Sequence, residues 1–261
     1  MKSVLLACCL TLAAHAETKQ ERGRKLIDEC VTALGGERYL NMRDRVESGR
    51  AYSFYRERLN GLSLAKIYTR YQPAKDTAIT LGLREHQRFG KKEESGVLFT
   101  ETGAWEITFR GARPLPNDRY QRYRDTTLHN VFYILRVRLK EPGMIFESRG
   151  ADVLDNRPVE IVDINDARNE TTTVYFDQTT KLPVRQVFYR RDPLTRERDE
   201  EVTEFSKYRD IGGGVQWPFA IRRDRNGERV FEIYAESVEI DKHPNETLFN
   251  LPNNIKLLKP E

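Results

Sequence analysis

The chain has 261 residues, 38% hydrophobic and 32% charged, with 44 Lys and Arg against 40 Asp and Glu. Acids and bases are interspersed, as in RRDPLTRERDEE (190–201), so charge is neutralised locally and the basic groove needed for nucleic-acid binding is not expected. Beyond residue 16 no apolar run approaches a membrane-spanning length, and the one cysteine there, Cys30, excludes a disulfide framework within that part.

The first sixteen residues, MKSVLLACCLTLAAHA, combine Lys2, an apolar run from Val4 to Ala14 and the small-x-small triplet Ala14-His15-Ala16. This pattern predicts a secretory signal cleaved after Ala16, hence a soluble periplasmic protein consisting of one domain over 17–261. Leu5-Leu6-Ala7-Cys8 loosely matches a lipoprotein cleavage box, but it stands too near the start to leave an apolar region before it, which argues against lipid anchoring at Cys8.

Residues 18–34 read as a helix, with Leu26, Ile27, Cys30, Val31 and Leu34 on one side and Gly35-Gly36 as its stop. The double glycine lacks the spacing of a dinucleotide loop, and Cys30 on the apolar side reads as a buried thiol. From 45 to 110 the period becomes two. Strands are expected from Val46 to Tyr55, Leu62 to Tyr71, Thr77 to Arg84, Gly96 to Thr100 and Ala104 to Arg110, with a tight turn at Glu101-Thr102-Gly103. ARPLPND (112–118) interrupts this pattern and leads into a helical stretch reaching Lys140, capped by Asn117 or Asp118 and striped by Tyr120, Tyr123, Leu128, Phe132 and Leu135. Its second half, Val131 to Leu139, is rich enough in β-formers to read equally as a strand.

After Glu141-Pro142-Gly143 come seven further strand-like runs, at 144–149, 158–165, 170–177, 183–191, 200–209, 216–224 and 229–240. Their short turns, of which Asn226-Gly227 is the clearest hairpin signal, force antiparallel neighbours. The expected fold is therefore mainly β with two helices, an α+β arrangement. A single strongly curved antiparallel sheet, an incomplete β-barrel, would be covered by the helices.

Three histidines remain after residue 16: His86, His129 and His243. They are scattered, without HExxH or paired Cys, so no zinc site is expected. GxSxG and Walker A motifs are absent, and a glycosidase-type carboxylate pair has no specific sign. These features predict a non-enzyme without cofactor or metal. Asn169-Glu170-Thr171 and Asn245-Glu246-Thr247 fit the glycan acceptor pattern, but the signal is of bacterial type. The informative residues are apolar: Phe54, Tyr68, Trp105, Phe109, Phe132, Phe188, Trp217 and Phe231 are candidates to line a cavity between sheet and helices. Such a cavity would hold an acyl chain, each buried CH₂ contributing about 0.8 kcal/mol.

The order of elements, the strand VYFDQTTKLPVRQVFYRRD (174–192) and the later EVTEFSKYRDIGGGVQWPFAIRR (201–223) together resemble the outer-membrane lipoprotein-sorting proteins of the LolA/LolB-like superfamily. The resemblance implies a half-open barrel with a helical lid. It also implies a periplasmic carrier that holds lipoprotein acyl chains or another lipid, works as a monomer and exchanges cargo with a membrane-associated donor or acceptor protein. Two other readings remain open: a structural or protein-interaction domain with a filled interior, and a hydrolase with a polar cleft.

Overall fold

A computed structural model describes residues 17–73, 81–101, 103–191 and 197–260. The signal segment, Cys8, Thr102 and the 77–80 part of the expected third strand lie outside the described residues. Helix α1 (Lys19–Ala33) opens on a capping box, in which the Thr18 hydroxyl accepts from the Glu21 N–H and the Glu21 carboxylate accepts from the Thr18 N–H. It buries Gly23, Leu26, Ile27, Cys30 and Val31, the three- and four-residue spacing visible in the sequence. A second helix, α2 (Gly36–Asn41), follows at once, made possible by Gly35 at φ 116° and Gly36 at φ 54°.

The strands then follow in chain order. They are β1 (Asp44–Tyr55), β2 (Arg58–Tyr71), β3 (Leu83–Phe89), β4 (Ser95–Phe99), β5 (Ala104–Thr108) and β6 (Gly111–Pro114). Helices α3 (Asn117–Leu128) and α4 (Val131–Tyr133) and a π-helical turn (Ile134–Arg138) separate these from the second run. That run is β7 (Ile145–Leu154), β8 (Arg157–Asn165), β9 (Thr171–Asp177), β10 (Pro183–Arg191), β11 (Arg198–Asp210), β12 (Gln216–Arg225) and β13 (Glu228–Ile240). Asn226 and Gly227 both take positive φ, 50° and 80°, as a two-residue hairpin turn with the twist of its strands requires.

The thirteen strands of the described residues form one sheet in the order β6-β5-β4-β3-β2-β1-β13-β12-β11-β10-β9-β8-β7, every neighbouring pair antiparallel. This corrects the expected two-helix, strongly curved incomplete barrel: the sheet is open, is not strongly curled towards closure, and among the described residues carries four α-helices. The first and last strands pair in the middle of the sheet (β1 with β13), so the two edges are β6 and β7, the strands that flank the α3–α4 segment. Edge β6 is partly covered by the C-terminal segment, where the Ala112 N–H donates to the Lys256 carbonyl at 2.9 Å and the Leu258 N–H to the Ala112 carbonyl at 2.8 Å.

The single helix expected up to Lys140 is divided at His129-Asn130. The Asn130 side chain accepts from the N–H groups of Phe132 and Tyr133 and starts a new helix there. Val131 to Arg138 is helical, not a strand, because Val131 to Leu135 are all buried and the segment sits between other elements. The main core joins α1, α2 and α4 to the β7–β12 side of the sheet through Leu34, Tyr39, Phe132, Phe176, Phe205 and Trp217.

Candidate functional site

Within a strand, alternate side chains share a face. On β1, β2, β3, β11, β12 and β13 the residues facing α3 and α4 are mostly odd-numbered, with Val202, Asp224 and Val230 as exceptions, and they enclose a cavity of about 440 Å³. Its apolar floor is Ala51, Ala65, Ile67, Phe89, Ile221 and Ile233, and its cover includes Tyr123, Phe132 and Tyr133. The space has a local cause. Ala51 stands opposite Ile233, and Ala65 lies between Gly49 and Phe89, so two strands contribute almost no side-chain volume at the centre of the floor. Above it, Tyr123 of α3 stacks on Phe99 of β4 with ring centroids 3.6 Å apart. The volume falls inside the range of about 300–1,000 Å³ typical of small-molecule sites.

The two ends of the cavity are polar. At the inner end Arg45, Thr69 and Glu85 stand in one cross-strand row. Arg45 donates to the Tyr71 hydroxyl at 2.9 Å and to Thr69 Oγ1 at 3.2 Å, Thr69 donates to Glu85 at 3.3 Å, and Gln87 donates to Glu85 at 2.7 Å. The Arg45 guanidinium also lies 4.1 Å from the centre of the Trp217 ring and 3.7 Å from the Glu47 carboxylate. Glu47 is 3% exposed. Burial pushes its carboxyl above the usual range, and the pull of Arg45 offsets this only in part.

The outer end is a cluster of arginines. The side chains of Arg122 (α3), Arg190 (β10) and Arg225 (β12) surround one carboxylate oxygen of Glu201 (β11) at 3.9, 4.0 and 3.9 Å. The other Glu201 oxygen accepts from the Thr126 hydroxyl at 3.1 Å. From Trp217 to Arg225 along β12 the strand rise gives the site a length of roughly 26 Å.

Of the residues singled out in the sequence, Phe132, Trp217 and Phe231 line this cavity. Phe188 is buried beside it, stacked on His129 at 3.6 Å. Tyr68, even-numbered on β2, packs with Val46 and Phe249 on the opposite face. Phe54 and Trp105 are half-buried away from the cavity, and Phe109 is 87% exposed in the β5–β6 turn. The cavity also depends on residues outside the large apolar set of the sequence: Ala51 and Ala65 make the space, and Arg45, Glu47, Glu85, Arg122, Glu201 and Arg225 give it polar ends.

One group of side chains has the composition of a metal site. His129 Nδ1–H donates to the Asp125 carbonyl at 2.7 Å, its Nε2 lies 3.4 Å from Glu170, and Asp166 is close to both. Arg138 reaches Asp166 at 3.1 Å, and Arg168 reaches Glu170 at 2.6 Å and Asp166 at 3.4 Å. With two guanidinium groups already neutralising the carboxylates, the arrangement is a partly buried ion-pair network and a poor cation site. Burial alone would raise the Asp166 carboxyl. The Glu170 N–H and the Arg138 guanidinium outweigh it and hold the group below its ordinary range.

No protein-family model matches the sequence, and no curated protein matches it. Solved structures do. A Vibrio parahaemolyticus domain designated an outer membrane lipoprotein-sorting protein superposes with a TM-score of 0.59 at 10% identity, over 88% of this chain and 97% of its own. A DUF1329 family protein from Desulfovibrio piger gives 0.59 at 11% identity over 87% and 97%. A LolA superfamily protein from Nitrosomonas europaea gives 0.51 at 9% identity over 87% and 97%. What is shared at this identity is architecture: the chain has the LolA/LolB-like fold.

Proposed function

We propose that the protein is a periplasmic, single-domain carrier that holds an acyl chain, of a lipoprotein or of another lipid, in the cavity between the sheet and helices α3 and α4. The observation that carries this reading is an open apolar mid-section built from Ala51, Ala65, Ile67, Phe89 and Ile233. Each methylene buried there contributes about 0.8 kcal/mol, so affinity accrues along the chain without any catalytic group. Helices α3 and α4 form the side through which cargo enters, since the floor is a continuous hydrogen-bonded sheet. Release follows when a membrane-associated partner offers a better apolar site. The lipoprotein-sorting designation of the Vibrio structure and the export signal expected from the sequence support this reading without adding a partner's identity.

The test is lipid extraction and native mass spectrometry of protein purified from its own periplasm, paired with titration of a fluorescent fatty-acyl probe. Co-purifying acyl species and saturable probe binding at one site are expected. If neither is seen, the cavity is not an acyl site and the molecule is better read as a protein-interaction domain.

A further inference from the structure

Among the described residues, the outer end of the cavity gathers arginine N–H groups that no carboxylate hydrogen-bonds. Arg122 Nη1, Arg190 Nε and Arg225 Nε are shut off from solvent, and none has a hydrogen-bond partner. All three point at Glu201 Oε1 from 3.9–4.0 Å, beyond hydrogen-bonding distance, and that oxygen also lacks a partner. Asp199 is engaged by Arg190 at 2.8 Å and Asp224 by Arg222 at 2.7 Å, which leaves Glu201 as the unshared anion among the arginines. Arg119 and Arg223 line the same end. The field is felt within the cluster: besides burial, Arg225 and Arg190 lower the proton affinity of the Arg122 guanidinium. Exposure gives this end its orientation, because Arg122 and Arg225 have side chains 37% and 36% exposed, whereas Arg45 and Glu47 at the other end have 10% and 4%.

We propose that the Arg122–Arg190–Arg225 cluster binds an anionic headgroup, carboxylate or phosphate, of an amphiphile whose chain occupies the apolar mid-section. The proposal rests on the acyl-binding reading and narrows it: cargo is a charged lipid, held chain inward and headgroup at the arginines. A planar carboxylate or a phosphate supplies the acceptor oxygens that three unpartnered N–H groups lack, and guanidinium groups match both geometries. Glu201 acts as a built-in competitor. It offsets part of the arginines' mutual repulsion in the empty state and yields when an anion with more acceptor oxygens arrives.

The test titrates the full chain with four ligands by displacement of the acyl probe: oleate, oleyl phosphate, oleyl alcohol and inorganic phosphate. Oleate or oleyl phosphate is expected to bind at least tenfold more tightly than the alcohol, and whichever of the two is tighter identifies the headgroup. Inorganic phosphate is expected not to displace the probe. In Arg122→Gln/Arg225→Gln the ratio of anionic to neutral ligand should fall to about one. Glu201→Gln should move the other way and raise oleate affinity severalfold, a gain that misfolding cannot imitate. Equal binding of oleate and oleyl alcohol to the wild type overturns the headgroup site while leaving the acyl cavity standing. Displacement by inorganic phosphate assigns the cluster to a free anion and overturns it too. Failure of all three oleyl ligands removes the acyl reading itself.

Discussion

Arg138 ties the helical cover to the sheet, and its removal should be costly. Its side chain, 4% exposed, donates to Glu141 at 2.7 and 3.1 Å, to Asp166 at 3.1 Å and to the Leu128 carbonyl at 2.8 Å. It thereby links the last turn of α3, the π-helical turn and the β8–β9 turn. Arg138→Met keeps much of the stem but leaves the Asp166 carboxylate, itself 4% exposed, with only Arg168 at 3.4 Å and two backbone N–H groups. Stranding one partner of a buried pair costs about 3–5 kcal/mol. For a chain of this size each kcal/mol shifts Tm by about 2–4 °C, so the expected drop is about 6–20 °C. Urea unfolding followed by circular dichroism gives the free energy directly. Arg138→Met/Asp166→Asn should be less destabilised than the sum of its single variants by about 0.5–3 kcal/mol, because the second change removes the stranded charge. A loss below about 1 kcal/mol for Arg138→Met, or strict additivity, would show that the network is screened by solvent and that the cover is held by packing alone.

Three further outcomes follow from the same structure. Ala65→Leu adds apolar atoms to the cavity floor and should weaken acyl-probe binding at least tenfold while leaving stability unchanged or higher by about 0.5–2 kcal/mol, read by fluorescence titration and thermal melts. Gly23→Ala should destabilise the protein despite a helix-propensity gain of about 1 kcal/mol. A methyl there runs into the Phe146 backbone carbonyl of β7, and overpacking against backbone costs about 1–3 kcal/mol, so the clash wins in urea titrations. In acid, the carboxyls of Asp166 and Glu170 are held low in the folded state. For Asp166 the Glu170 N–H and Arg138 overcome burial, and for Glu170 the His129 contact leads. The stability they supply is complete above the ordinary carboxylate range near pH 4 and is lost as pH falls through their folded values. Glu47 has the opposite sign, since burial raises its folded value. The stability of wild type relative to Glu47→Gln should decline as pH rises from about 4 through that value, and a flat difference between urea midpoints would remove the buried charge from the account.

Most strand positions and turns were legible because both signals are local, alternation within a run and Asn226-Gly227 or Asp155-Asn156 at positive φ between runs; β3 lies at Leu83–Phe89, not over Thr77 to Arg84, and β6 (Gly111–Pro114) falls in the proline-rich stretch read as a break. Helix α2 was not, because its six residues follow what reads as a glycine stop. It is held by tertiary contact, with Tyr39 fully buried and its hydroxyl donating to the Phe132 carbonyl at 2.7 Å. The openness of the sheet was equally hidden, since it depends on where β6 and β7 end up relative to each other and no local pattern reports on that. At the site the limit is one of kind. Aromatic residues announce themselves in a sequence, but a cavity is defined by the small residues that fail to fill it, and Ala51 and Ala65 look ordinary until register sets them against Ile233 and Phe89. Parity separates Tyr68 from Ala65 and Ile67 on β2 and holds along β1, whereas the extra residues Glu236 on β13 and Asn60 on β2 break the count on those strands.

The polar ends of the cavity bear on what the fold is for. An interior shaped for stability alone would place apolar residues at 45, 47 and 85, because well-packed hydrophobic side chains match or exceed a buried ion pair in stability. The chain instead keeps Arg45, Glu47 and Glu85 against an apolar floor, and it sets three arginines around a carboxylate that bonds with none of them. Both arrangements hold electrostatic energy that a filled core would not need. Between them lie the residues with the least side-chain volume on the cavity face, so the charged rows act as stops at either end of an apolar slot about as long as the exposed-to-buried run of β12. On the acyl-binding reading proposed above, fixed ends would select cargo by length and by the charge of its head, whereas a plain apolar hollow would accept any chain that fits.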